Sequence, residues 1–433
     1  MTHWDEAVGV VSAFLGDRSA LSDSVGADSV GADPVGSDPV GVAVSGGSDS
    51  LALLLLLKDW ADKSGRSLRA VTVDHGLRAE AADEAAFVGQ VCAGLGIPHR
   101  TLRWDGPDPT GNLSDQARRA RYALMDHWAK GQGIAQIALG HTADDQAETL
   151  LMRLGRGAGV DGLATMAAHR QIGQTEFLRP LLTLRRETLR DLLRQRDQTW
   201  IDDPTNMDPD YDRVRIRQMI PDLAGIGLTV DALTTTAANL AQARDALVHY
   251  AVQEAAQIID QDAAGDILIN QAAWCALPDE IARRLMVASL AHVAGPGYPP
   301  RRRALDQLIE NLRMGQPMTL AGCIAQVAKD HIRMTRELAA VAAPVPPDQL
   351  WDTRWQVTGR FPQSAQIAAL SEKGLRACPD WRNAGLPRTS LLATPAVWQG
   401  DRLISAPVTG FANGFQAKLL RSRKDLDAAM RTH

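Results

Sequence analysis

The sequence predicts an α/β fold: a Rossmann-like parallel sheet in the first half, then a helical domain, then a small C-terminal α/β or β-rich domain. Three observations carry that prediction. Apolar runs of strand length recur at Gly41–Val44, Leu68–Val73, His99–Trp104 and Ile134–Leu139, about thirty residues apart, the spacing of βαβ crossovers. Helix-like sequence fills the gaps, and the runs are apolar on both faces, as strands covered by helices on both sides must be. The first run enters a glycine loop that leads straight into an apolar stretch, Leu51 to Leu57, so ligand chemistry is expected at the strand C-termini.

Taken in order, residues 4–15 read as a helix. Four near-copies of one pentapeptide follow, beginning at Asp23, Asp28, Asp33 and Asp38. This tract, 23–39, is rich in Gly, Asp and Pro, cannot build a core, and is expected to be a flexible insertion. The four strands come next, and Leu178–Leu184 is expected to add a fifth. Asp203-Pro204 and Pro221 punctuate the end of a first domain, placed at 1–222. Residues 229–338 carry an Ala/Leu period and read as helical. Pro344-Val-Pro-Pro347 looks like a linker, and 350–433, with Trp355-Gln-Val and Leu403-Ile-Ser-Ala-Pro-Val, forms the last domain.

The chain has 433 residues, room for two or three domains. Its 46 basic residues against 51 acidic ones give a net charge of −5, which excludes a whole-chain polycation. Any nucleic-acid contact must therefore use a local basic face. Cys92, Cys275, Cys323 and Cys378 lie far apart with no C-x-x-C pair, which argues for a reducing compartment and against a zinc or iron–sulfur site. No basic start joins an apolar core in the first thirty residues, and the longest aliphatic run is too short to span a bilayer. A soluble, cytoplasmic protein is expected.

The chemistry is read from Val42-Ala43-Val44-Ser45-Gly46-Gly47-Ser48-Asp49-Ser50. Strand, glycine loop and helix bring backbone N–H groups and a helix N-terminus onto phosphate; Ser45 and Ser50 supply hydroxyls. A bare carboxylate repels phosphate, so Asp49 makes sense if Mg²⁺ lies between them. The bland reading is an ordinary serine- and glycine-rich turn. No Gly-x-x-x-x-Gly-Lys-Ser/Thr occurs, which excludes the GTPase and kinase kind of phosphate loop.

Other strands also end in polar residues. The second ends in Val73-Asp74-His75-Gly76-Leu77-Arg78, a candidate adenosine-side loop or a simple turn. The fourth ends in Gly140-His141-Thr142-Ala143-Asp144-Asp145-Gln146-Ala147-Glu148-Thr149. Asp144, Asp145 and Glu148 share a helix face and repel one another unless a cation is present: Mg²⁺, a substrate ammonium or a nearby Arg. Thr142 and Asp145 also form a capping-box pair, which explains Asp145 but neither Glu148 nor His141. Gly157-Ala-Gly159-Val-Asp-Gly162 imitates a dinucleotide fingerprint, yet a helix, not a strand, precedes it, so it reads as a hinge or helix cap. Arginines cluster at Arg118, Arg119 and Arg121, at Arg185-Arg186, and at Arg213, Arg215 and Arg217, which suits a polyanionic ligand. Arg301, Arg302 and Arg303, with Arg421, Arg423 and Lys424, are candidate RNA-backbone contacts.

The loop resembles the pyrophosphate loop of the N-type ATP pyrophosphatases, the PP-loop superfamily. The whole set resembles the tRNA(Ile)-lysidine synthetases: Ser45–Ser50, Asp74–Arg78, Ala117–Tyr122, Gly140–Thr149, Arg156–Leu163, Arg179–Leu182, Trp200–Asn206 and Tyr211–Arg217, in order over residues 40–222. The resemblance implies adenylation by ATP of the C2 oxygen of the wobble cytidine in a CAU anticodon, with release of pyrophosphate. Attack by the ε-amine of L-lysine and loss of AMP follow, giving lysidine. It further implies that Ser45, Gly46, Gly47, Ser48 and Ser50 cradle pyrophosphate, with His75 and His141 also on the nucleotide, and that Asp49 holds Mg²⁺. Asp145 and Glu148 would grip lysine, one of them accepting the amine proton. Arg118 and Arg121 would bind substrate, and Arg213 or Arg217 would neutralise the phosphates. The expected partners are tRNA(Ile), L-lysine and a second copy of the chain. A tRNA thiolase on the same nucleotide fold is the rival reading, but it would call for paired cysteines; an inactive RNA-binding relative is a third.

Overall fold

A computed structural model of the chain describes residues 3–16, 39–76, 81–104, 106, 113–202, 208–295, 297 and 300–431. The pentapeptide tract up to Asp38, Leu77-Arg78 and Asp203–Asn206 lie outside the described residues. Two compact units emerge, residues 1–244 and 245–433.

In the first unit α1 (His3–Gly16) precedes β1 (Val40–Ala43), α2 (Ser48–Ser64), β2 (Leu68–Asp74), α3 (Ala81–Gly94), β3 (His99–Arg103), α4 (Leu113–Gln132) and β4 (Gln136–Leu139). Then come α5 (Ala143–Leu154), α6 (Val160–Leu163), β5 (His169–Ile172), β6 (Thr175–Leu178), α7 (Arg186–Arg194) and α8 (Asp212–Ala224). The sheet runs β3-β2-β1-β4-β6-β5, with every pair parallel except the β5–β6 hairpin. The four expected strands are present. The fifth differs: Leu178 ends β6 rather than starting a strand, because Pro180 has no amide to continue a ladder. Pro221 lies inside α8 and does not end it.

Burial on both faces follows from strand alternation. Val40, Val42, Ala70 and Ala138 join the core built with α1, α2 and α7. Val71, Ile137, Leu139 and Phe177 face the opposite way, onto Tyr122, Met125 and Trp128 of α4. β1, β2 and β4 thus have apolar contact on both sides, which is why those runs read as continuous rather than alternating; β3, at the sheet edge, departs from that expectation, since none of its residues is buried. The order 3-2-1-4 reverses direction between β1 and β4, and in such sheets ligands bind at that crevice.

The second unit begins inside α9 (Val230–Ile258). It continues with β7 (Ile259–Gln261), β8 (Ile267–Asn270), α10 (Gln271–Ala276), α11 (Asp279–Ala294), α12 (Arg302–Arg313), β9 (Met318–Leu320), β10 (Cys323–Ala328) and β11 (His331–Arg336). Residues 229–338, expected to be purely helical, therefore also hold an antiparallel sheet in the order β7-β8-β11-β10-β9. Its strands are three to six residues long, and a period of two over so few residues is hidden beside long Ala/Leu helices. The remainder is β12 (Trp355–Thr358), β13 (Ala365–Ala369), α13 (Ser371–Arg376), α14 (Arg388–Leu392), β14 (Pro395–Gln399), β15 (Arg402–Ser405), β16 (Gln416–Leu419) and α15 (Arg423–Arg431). These strands form two small antiparallel sheets, β12-β16 and β13-β14-β15, in keeping with the expected small α/β or β-rich domain.

Candidate active site

The glycine loop between β1 and α2 is shaped by its own residues. Gly46 takes φ +89°, a conformation that L side chains rarely adopt, and a Cβ there would stand 2.9 Å from Ile201 Cδ1. The Ser50 hydroxyl accepts from the Ser45 amide at 3.1 Å and donates to the Gly47 carbonyl at 3.0 Å, so Ser50 closes the loop rather than offering its proton to a ligand. Gly47 caps α2 with no side-chain hydrogen bond, which leaves first-turn amides and the positive helix end to an anion. From β4, Gly140 comes so close that a Cβ would lie 3.0 Å from Asp49 O and 3.0 Å from Ser50 Cα.

The second helix at this crevice, α5, is capped differently. Thr142 and Asp145 form a complete capping box: Asp145 Oδ2 accepts from the Thr142 amide at 2.9 Å and its hydroxyl at 3.0 Å. One helix start is satisfied internally and the other is open, so the anion site belongs to α2.

The acids at the crevice are matched by three arginines. Arg186, the first residue of α7, donates through Nε to Asp49 at 2.8 Å and through its two terminal nitrogens to Asp145 at 3.1 Å and Glu148 at 3.3 Å. Glu148 is 0% exposed; Arg217 reaches it at 2.7 and 3.3 Å, and Arg213 lies 3.2 Å away. A buried carboxylate requires such pairing. Burial pushes the Asp49 carboxyl above its ordinary range against the pull of Arg186. Burial acts the same way on Asp145, but Arg186 and the Thr142 hydrogen bond outweigh it and hold that carboxyl below the usual range.

Asp49, Asp145 and the three arginines line a cavity of about 750 Å³; Glu148 is fully buried and is not part of its lining. Its polar wall is the loop Ser45, Gly47, Ser48 and Asp49 with Arg186, Arg190, Arg213 and Arg217; its apolar wall is Val71, Val73, Met125 and Leu139. His141 also lines it; burial lowers its pKa to about 4, so the imidazole is neutral at neutral pH, and its Nδ1 is buried without a partner. Among the described residues no group of three His, Cys, Asp or Glu side chains could hold a metal. A divalent cation here would rest on one carboxylate and on phosphates of a ligand, the usual manner of Mg²⁺, and Asp49 beside the open α2 start fits that role.

The PP-loop domain family matches residues 27–223. A tRNA(Ile)-lysidine synthase of Ruegeria pomeroyi is 46% identical over 393 residues, covering 90% of this chain and 94% of the relative. The chain belongs to the tRNA(Ile)-lysidine synthase family. A tRNA(Ile)-lysidine synthase of Bradyrhizobium is 38% identical, covering 68% of this chain and 88% of the relative. Among solved structures, a U34-tRNA thiolase from Methanococcus maripaludis matches at 18% identity and a TM-score of 0.43, over 55% of this chain and 80% of that one, too distant to carry an argument for the rival reading.

Of the residues expected at a lysidine synthase site, Asp49, Asp145, Arg213 and Arg217 line one cavity, and the fully buried Glu148 joins them through its ion pairs with Arg186, Arg213 and Arg217. Arg121 lines it and donates to His75 Nε2 at 3.0 Å; burial and Arg121 lower the pKa of His75. Arg118 is exposed, with its guanidinium 5.6 Å from the centre of the Tyr122 ring. Asp74 accepts from the Gly76 amide at 2.8 Å and so shapes its own turn. Gly157, at φ +67°, closes the C-terminus of α5, which makes the false fingerprint a helix cap. The sequence singles out Arg186 only within the Arg185-Arg186 cluster, without a role, and passes over Arg190; their four-residue spacing on α7, which puts both on one helix face, was the available signal.

In the second unit Arg301, Arg302 and Arg303 open α12 and are exposed, with Arg302 pairing to Asp306 at 3.0 Å. Lys424 is exposed. Arg421 and Arg423 depart from the expected free basic surface. Arg421 donates to the His292 carbonyl at 3.1 Å and Thr353 Oγ1 at 2.8 Å; Arg423 donates to the Ile259 carbonyl at 3.1 Å and pairs with Asp427.

Proposed function

We propose that this chain joins L-lysine to C2 of the wobble cytidine in tRNA(Ile) bearing a CAU anticodon, with ATP converted to AMP and pyrophosphate through an adenylated cytidine. The observation that carries the reading is one cavity holding both halves of that chemistry. An open helix start and glycine loop suit the phosphates, and Asp145 on the cavity wall, joined through Arg186 to the buried Glu148, suits an ammonium. Family membership supports the same assignment.

In the first step Ser45, Ser48 and the amides of Gly46 and Gly47 hold the β and γ phosphates, while Val71, Val73 and Met125 pack the nucleoside. Arg213 and Arg217, on one face of α8, balance the charge that grows on the phosphates as the cytidine oxygen attacks the α phosphorus. Mg²⁺ held by Asp49 would neutralise phosphate charge and make pyrophosphate a better leaving group. In the second step the ε-amine must lose a proton to attack C2. Asp145 and Glu148 hold the lysine ammonium groups, and one of these carboxylates accepts that proton. AMP then leaves. The partly apolar wall limits water, which would otherwise hydrolyse the adenylate.

The test is mass spectrometry of the isoleucine tRNA after incubation with ATP and isotopically labelled lysine. Labelled lysine on the anticodon cytidine is expected, in step with AMP formation. Unlabelled tRNA, or sulfur in place of lysine, would overturn the assignment.

A further inference from the structure

Arg186 bridges the carboxylate assigned to the metal and both carboxylates assigned to lysine, at 2.8, 3.1 and 3.3 Å. Resting on the function just proposed, we infer that Arg186 is a stand-in cation that occupies the lysine-ammonium subsite and leaves it for the phosphates of bound ATP. Lysine affinity is thereby coupled to nucleotide.

Asp145 Oδ2 is taken by Thr142, and Oδ1 by Arg186. Glu148 Oε1 receives Arg186 and Arg217, and Oε2 faces Arg217 and Arg213. Every oxygen of both carboxylates already faces a donor, and a guanidinium stands at three of the four, so an incoming ammonium must compete with a guanidinium for them. Arg217 grips Glu148 at two points, and Arg213 is also tied to Thr149 Oγ1 at 3.1 Å. Arg186 touches each of its acids once, and one of them, Asp49, belongs to the phosphate loop.

The path for withdrawal is short. The Arg186 amide donates to Asp144 Oδ2 at 2.7 Å, which pins the start of α7 while the side chain re-aims. One turn on, Arg190 already reaches Ser48 Oγ of the loop at 3.4 Å, so this helix face points along the phosphate site. A polyphosphate offers a guanidinium denser charge and better fork geometry than scattered carboxylates. By linkage, nucleotide tightens lysine by the same factor as lysine tightens nucleotide.

The experiment is calorimetric titration of L-lysine into the full chain, with and without Mg²⁺ and an ATP analogue carrying a methylene between the α and β phosphates. In the wild type the analogue should tighten lysine by about tenfold or more. In Arg186→Gln the ratio should fall toward one because lysine now binds without nucleotide; a merely structural arginine would weaken both titrations and leave the ratio unchanged. Arg186→Lys, too short to span three acids, should give a ratio between the two and decides the matter if Arg186→Gln does not fold. Equal wild-type affinity in both conditions, or an unchanged ratio in the variants, overturns the inference and leaves the function standing. Wild type that binds lysine in neither condition overturns both.

Discussion

Glu148 shows how a single buried residue can be costly and useful together. Three arginines surround a carboxylate with no exposed surface, so its charge is compensated at a place where water cannot help. Glu148→Gln keeps size and hydrogen bonding but removes the charge proposed to hold lysine. Steady-state kinetics should show the KM for lysine rising about tenfold or more while the KM for ATP changes far less. An equal rise in both would assign Glu148 to the nucleotide. His292 makes a different point. Burial first, and Arg421 next, lower its pKa from 6.5 to about 4, with Asp425 opposing. Between those values the unfolded chain binds a proton that the folded chain does not. Stability therefore falls as pH is lowered through that window, by on the order of 2–3 kcal/mol at its acid end. Melting followed from pH 7 to pH 4 should show the loss, and His292→Gln should flatten the profile.

At the scale of elements, the site depends on the difference between two helix starts at one crevice. α5 satisfies its first amides through Thr142 and Asp145, whereas α2 begins at a glycine without a side-chain cap. The contact that seats the loop is Gly140 against the backbone of Asp49 and Ser50, so close that a Cβ on Gly140 would stand 3.0 Å from each. An added methyl cannot be absorbed by a flexible side chain there, because the opposing atoms are main chain. Gly140→Ala should reduce ATP affinity about tenfold or more, read by calorimetry, at a stability cost of about 1–3 kcal/mol. Unchanged ATP affinity would mean that the loop accommodates the methyl and that this close approach does not set its shape.

At the scale of the whole molecule, a net charge of −5 requires RNA affinity to come from local patches. Arg301, Arg302 and Arg303 at the start of α12 are exposed and belong to the second unit, while the nucleotide cavity is lined from the first. Replacing all three by Ala should weaken tRNA binding and reduce the slope of log affinity against log salt by roughly 2–3 units, if each neutralises one phosphate. ATP affinity should be unchanged. A salt slope equal to that of the wild type would remove α12 from the RNA surface.

The sequence by itself determined what is written in contiguous residues. Strand, glycine loop and helix at Val40–Leu57 are one uninterrupted signal, and so are the capping box and acids of Thr142–Glu148; both were legible because local geometry follows local spacing. The parallel sheet was legible through its apolar runs. Only the tertiary structure decided the partners. Asp49 and Arg186 are 137 positions apart, and Glu148 and Arg217 are 69 apart, and no periodicity records which of many arginines will meet which acid. The same reason hid the sheet within 229–338. Its strands are too short to announce themselves and exist because β8, β10 and β11 bury Ile269, Ala325 and Ile332 against the helices folded over them. Local pattern specifies elements; burial and charge pairing across the chain choose which of them meet, and those choices assembled the site.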